Sequence, residues 1–142
     1  MSGGLPSWPE HLALDAGVDD LARVRDFVTA ACEALGADDD ETFRLTLAAD
    51  EVCANVLLHG YEAGHGHLDV AVRGHGSDLV LVVRDRAPAF DPTPPPAPPG
   101  DLLADDAPGG LGLHLVHRLV DVVEHDELAE GNETRLTLRR TG

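Results

Sequence analysis

Apolar residues along this chain change period several times, and each change marks an element. From His11 to Ala16 they alternate, with Leu12 and Leu14 on one side, which predicts a short first strand. Asp19 or Asp20 can cap the helix that follows. Leu21, Val24, Val28, Cys32 and Leu35 then recur at helical spacing until Gly36 supplies a stop. Ala37 to Asp40 form a second cap region, opening a longer helix from about Glu41 to Tyr61; acidic residues at such a start suit the helix dipole. Leu68, Val70 and Val72 alternate with polar neighbours. Asp78 to Asp85 is a nearly continuous apolar run, so two strands are expected around a loop at Gly74–Ser77. Eight of the ten prolines fall between Pro88 and Pro108, a density that excludes helix and inner strand. Beyond it, Leu113, Val116, Leu119 and Val120 form another helical stripe. Val122 and Val123 begin a strand, and Asn132 to Arg140 forms the last. The order β-α-α-β-β-loop-α-β-β predicts a two-layer α/β (α+β) sandwich. Its sheet is mixed, mainly antiparallel, with helices on one face.

Composition narrows the function. The 142 residues predict one domain, with 10–141 folded, 1–9 a tail and 92–108 a long loop covering a site. A net charge of −16 argues against nucleic acid and anionic membrane as partners. All ten basic residues are arginine. Without lysine there is no P-loop, no strand lysine of the eukaryotic protein kinases and no Schiff base. Any phosphate site must use backbone amides, arginine or a metal ion. Cys32 and Cys53 sit in helical patterns without metal or redox spacing, and no signal-like segment opens the chain. Both point to a cytoplasmic protein with buried thiols. His59, His65, His67 and His75 cluster in sequence, but their spacing matches no closed zinc site.

Three segments carry candidate chemistry. Glu51, Asn55 and His59 are spaced i, i+4 and i+8, and each step overshoots a full helical turn by about 40°, so they share one stripe beside the core positions Ala48, Val52 and Val56. A carboxylate, an amide oxygen and an imidazole so aligned could hold a hard cation and a water, although an exposed polar stripe looks the same. Asp85 ends a buried strand, where a carboxylate must be paired or face a cleft. It could accept from an exocyclic amine, or be an ordinary turn residue. Gly109-Gly110-Leu111-Gly112 opens a helix, where free amides could bind an anion or glycines could serve only as a hinge.

In order these read E-x-x-x-N-x-x-x-H-G, D-R-A-P-A-F-D-P, a proline-rich segment and G-G-L-G-L-H-L-V. The set resembles the GHKL ATPase superfamily (the Bergerat fold of gyrase, MutL and histidine-kinase catalytic domains). Within it, the closest resemblance is to the compact RsbW-like anti-sigma factor serine/threonine kinases. The resemblance spans His11 to Arg140 and implies ATP and Mg²⁺ as cofactors. Glu51 matches the general base and Asn55 the Mg²⁺ ligand. His59 matches a branch-typical position, Asp85 the adenine-reading carboxylate, and Gly110 and Gly112, flanking Leu111, the phosphate-approaching glycines. Thr134 matches a threonine supporting the adenine through water. The implied partners are a sigma factor and an anti-anti-sigma (STAS-type) protein that is phosphorylated on serine, in a branch that commonly forms homodimers. One position departs: the family's D-x-G reads Asp85-Arg86-Ala87, adding a methyl where the base packs and disfavouring positive φ. That departure is what favours the alternative, a non-catalytic Bergerat-fold module that binds partners with weak or structural nucleotide.

Overall fold

The apolar stripes fold as their periods predict, in a computed structural model that describes residues 11–61, 63–88 and 110–140. The tail at 1–9 and the covering loop at 92–108 lie outside the described residues.

Strand β1 (Leu12–Ala16) buries Leu14 and Ala16. A 3₁₀ turn, Val18–Asp20, then leads into α1 (Leu21–Ala34), which buries Val24, Val28 and Cys32. Asp20 does not cap α1 through its side chain; Oδ2 turns back to accept from the Gly17 amide at 2.9 Å, because the 3₁₀ turn puts the first orphan donor there. Gly36 ends α1 at φ 82°, and Ala37 N–H donates to Cys32 O at 3.0 Å, the 6→1 closure that a left-handed glycine allows.

Helix α2 (Asp39–Asn55) starts on a reciprocal box. Asp38 Oδ1 accepts from Glu41 N at 2.8 Å, and Glu41 Oε1 accepts from Asp38 N at 2.9 Å. Its inner face is Leu45, Ala48, Ala49, Val52, Cys53 and Asn55. The α-helix does not run to Tyr61 as the sequence predicts. Val56–Gly60 is a π turn, closed by Tyr61 N–H to Val56 O at 3.0 Å. A π turn spreads an extra residue over the turn, so His59 leaves the regular spacing that aligned it with Glu51 and Asn55. The turn ends in a joint. Tyr61 Oη donates to His67 O and accepts from Arg86 N–H, both at 2.7 Å, and its ring lies so close to Gly66 that a side chain there would overlap it.

Strands β2 (Gly66–His75) and β3 (Asp78–Asp85) form a hairpin turning at Gly76, φ 64°. Helix α3 (Gly110–Leu119) packs on α2, and β4 (Val122–Leu128) and β5 (Gly131–Leu138) form a second hairpin. Strand order is β1-β2-β3-β5-β4, and every pairing among the described strands is antiparallel.

The register places Leu14, Leu68, Val70, Leu81, Val83 and Leu136 on one face, and these join α1, α2 and α3 in one core. Hence two layers, with the helices on one side of the sheet. No described helix is long and apolar enough to cross a membrane. Both cysteines are buried free thiols, and burial pushes them up, Cys32 to about 11 and Cys53 to about 12.

Candidate functional site

Alternation along β3 puts Asp85 on the helix-covered face with Leu81 and Val83. Register then sets it opposite Asn132 of β5, with Thr134 one alternation further along and His125 of β4 across from Thr134. A patch of polar groups thus ends an otherwise apolar face, and Asp85, Asn132 and Thr134 are all buried.

Asp85 is held through one oxygen. Oδ1 accepts from Ala87 N–H and from Asn132 Nδ2, both at 2.9 Å. Oδ2 is buried and makes no hydrogen bond, and neither does Asn132 Oδ1. Burial pushes the Asp85 carboxyl above its ordinary value; the bonds from Asn132 and Ala87, and the nearby His125, pull it partly back. An unpaired buried acceptor is costly in a folded protein unless a donor arrives. Two such acceptors in one patch suit a ligand that presents N–H groups.

Across the core boundary, α2 presents Glu51 half-buried and Asn55 buried, one turn apart. Burial raises the Glu51 carboxyl, with Asp50 adding to the effect, although Asp50 is itself bound to Arg25 at 2.7 Å. His59 is exposed in the π turn. Helix α2 packs on β3, and the charge of Asp85 helps to raise both Cys53 of α2 and Tyr61 at the end of the π turn. The described residues contain no group of three or more His, Cys, Asp or Glu able to cage a metal. Hard oxygens from Glu51 and Asn55 fit an ion that keeps most of its shell in water and phosphate, as Mg²⁺ does. Gly110, Leu111 and Gly112 form the first turn of α3.

Ala87 is buried, and no described residue other than glycine has positive φ. The expected backbone penalty for replacing glycine is therefore absent: the turn does not require the left-handed region. Only the methyl remains to distinguish this chain there.

Two residues of the site escaped the sequence reading. Asn132 is one; its polar side chain in the alternating set Asn132, Thr134, Leu136, Leu138 was the available signal. Gly131 is the other. Its φ is 126°, and a Cβ there would overlap the carbonyl oxygen of Asp85, so β5 meets the end of β3 backbone to backbone.

The site thus joins a helix-backed antiparallel sheet, an acid–amide pair on α2 and a buried carboxylate at the end of β3. Residues 14–138 match the histidine kinase-like ATPase domain family, and the chain belongs to it, as the GHKL resemblance implies. The chain is 33% identical over 97 residues to serine/threonine-protein kinase BtrW of Bordetella bronchiseptica, covering 67% of this chain and 68% of that one. It is 28% identical over 139 residues to serine-protein kinase RsbW of Bacillus licheniformis, covering 93% and 80%. Its fold matches a crystal structure of the RsbU and RsbW domains of a Mycobacterium tuberculosis protein with a TM-score of 0.66 at 24% identity, over 94% of this chain and 33% of that one.

Proposed function

We propose that this chain is an ATP-dependent serine/threonine kinase of the anti-sigma type, phosphorylating a small STAS-type anti-anti-sigma protein and binding a sigma factor. Supporting this reading are the family, the kinase names of its relatives, and one observation above all. Asp85 is anchored through Oδ1 and leaves Oδ2 unpaired in a buried patch at the end of β3, the strand against which α2 packs.

In this reading Asp85 accepts the amino group of adenine, with Thr134 beside it. Asn55 holds Mg²⁺ through its amide oxygen, and the bound ion neutralises charge on the phosphates. Glu51 takes the proton of the attacking serine hydroxyl. Its partial burial raises its affinity for that proton, which is what a general base near neutral pH needs. The amides of Gly110 to Gly112 offer donors at the start of α3, and His59 lines the approach from the π turn. A cytoplasmic location and a homodimer accompany the proposal.

The test is thermal shift and calorimetry with Mg²⁺ and ATP, followed by phosphotransfer to a co-encoded STAS-type protein. Nucleotide should raise Tm. Asn55→Ala should remove most of the Mg²⁺ dependence. Glu51→Gln should still bind ATP while losing on the order of 10²–10⁴-fold in transfer rate. Absence of any shift or heat at millimolar ATP would overturn the reading. Binding without phosphoserine would instead support the partner-binding module, to which the Ala87 methyl lends its weight.

A further inference from the structure

We infer that Asn132 sets the nucleobase selectivity of the site by holding Asp85 in one orientation as an ionised acceptor. This rests on the reading of Asp85 as the group that meets the base.

The Asn132 side chain is enclosed by acceptors. Besides Asp85 Oδ1 at 2.9 Å, Nδ2 lies 3.2 Å from Ala87 O and 3.4 Å from Pro88 O. Carboxylate and carbonyl oxygens cannot donate while Asp85 is ionised, so the amide must present its NH₂ to all three. One amide group therefore fixes both the carboxylate and the turn that follows it. With Oδ1 saturated by two donors, Oδ2 is left as a pure acceptor.

That state matters because a carboxyl group has two recognition modes. Ionised, it accepts from the 6-amino group of adenine; protonated, it donates to the 6-oxo group of hypoxanthine or guanine. Burial pushes Asp85 toward the second mode, and the Asn132 bond opposes it. The other groups near Asp85 are Cys53 on α2, the Tyr61 hydroxyl, the neighbouring Arg86 and His125 on β4. Burial raises both the Cys53 thiol and the Tyr61 hydroxyl, so both are neutral at physiological pH. His125 is common to the parent and every Asn132 variant, and repeating the comparison in a His125→Gln background removes its contribution.

The experiment uses the full chain with Asn132→Leu, similar in size without the donor, and the isosteric Asn132→Asp, with circular dichroism and melting to confirm folding. The Asp85 carboxyl is titrated by ¹³C NMR in the ligand-free protein. Calorimetry with Mg²⁺ then compares ATP with inosine triphosphate between about pH 5.5 and 8.

Asn132→Leu should move the Asp85 midpoint up by about one unit or more. It should weaken ATP about tenfold and narrow the ATP-over-inosine preference by at least about tenfold. The narrowing should grow as pH falls. Asn132→Asp should do so more strongly, because two adjacent carboxyls share a proton. An unmoved midpoint together with an unchanged ATP-over-inosine ratio in both variants would overturn the inference. A parent protein that binds neither nucleotide would instead overturn the base-reading role of Asp85, and selectivity with it. The titration would still decide whether Asn132 governs the carboxylate.

Discussion

The two faces of the sheet carry their polar groups in opposite ways. On the face away from the helix core, polar groups are matched within and between strands. Arg84 Nε donates to Glu133 at 2.8 Å, Arg135 binds Asp126 at 2.7 Å and also reaches Glu133, and His67 meets Asp69 at 2.8 Å. Register sets Arg84 opposite Glu133 and Asp126 diagonal to Arg135, while Glu133–Arg135 and His67–Asp69 are neighbours two residues apart on one strand, on the same face by alternation. On the helix face, Asp85 Oδ2 and Asn132 Oδ1 are buried and unmatched. Charge on the first face is satisfied within the protein. On the second it is held ready for something outside it. Changes on the open face should therefore move stability slightly and binding not at all, while changes at the strand end should move binding first.

Gly131→Ala breaks that distinction most severely. It combines positive φ with overlap on the Asp85 carbonyl, so chemical denaturation should show a loss of about 3 kcal/mol, with ATP binding lost at the same time. Asp85→Asn should separate the two properties. It removes the acceptor, weakening ATP by about 5- to 150-fold in calorimetry. Because the folded carboxyl is raised above its unfolded value, it holds its proton more tightly folded. Its ionisation therefore opposes folding, in full once the pH is above the raised value and not at all below the ordinary 3.8. Asp85→Asn should then stabilise the ligand-free protein at pH 7 by on the order of 1 kcal/mol, and that advantage should shrink as pH falls toward 4.

Arg135→Gln should cost about 1 kcal/mol or less, with the difference reduced in 1 M salt and nucleotide affinity unchanged. Smallest is Ala87→Gly. With no left-handed backbone to relieve, only the methyl is at stake, and tightening of ATP should stay within about fivefold.

Local spacing made much of this legible. The cap region before α2, the Gly36 stop and the Glu51–Asn55 spacing each depend on residues within four positions; the cap falls at Asp38, inside the expected Ala37–Asp40, and Gly36 ends α1. The π turn was not legible, because apolar spacing through Val56 and Leu57 continues that of the α-helix; its cause is tertiary, in the anchoring of Tyr61 on His67 and Arg86. Asn132 depends on register between strands 47 residues apart. Alternation showed a polar residue on an apolar face, but only the pairing of β3 with β5 reveals that its partner is Asp85. Thr134 was named by family pattern alone, whereas Gly131 needed the close approach of two backbones to acquire meaning.

The joint at Tyr61 has a practical consequence. The chain contains one tyrosine and one tryptophan, Trp8. The single phenol donates to one strand and accepts from the amide that follows Asp85, so its ultraviolet absorption is tied to the turn carrying the base-facing carboxylate. In a Trp8→Phe protein, tyrosine becomes the only emitter. Nucleotide titration could then be followed by intrinsic fluorescence, with no dye, label or coupled assay.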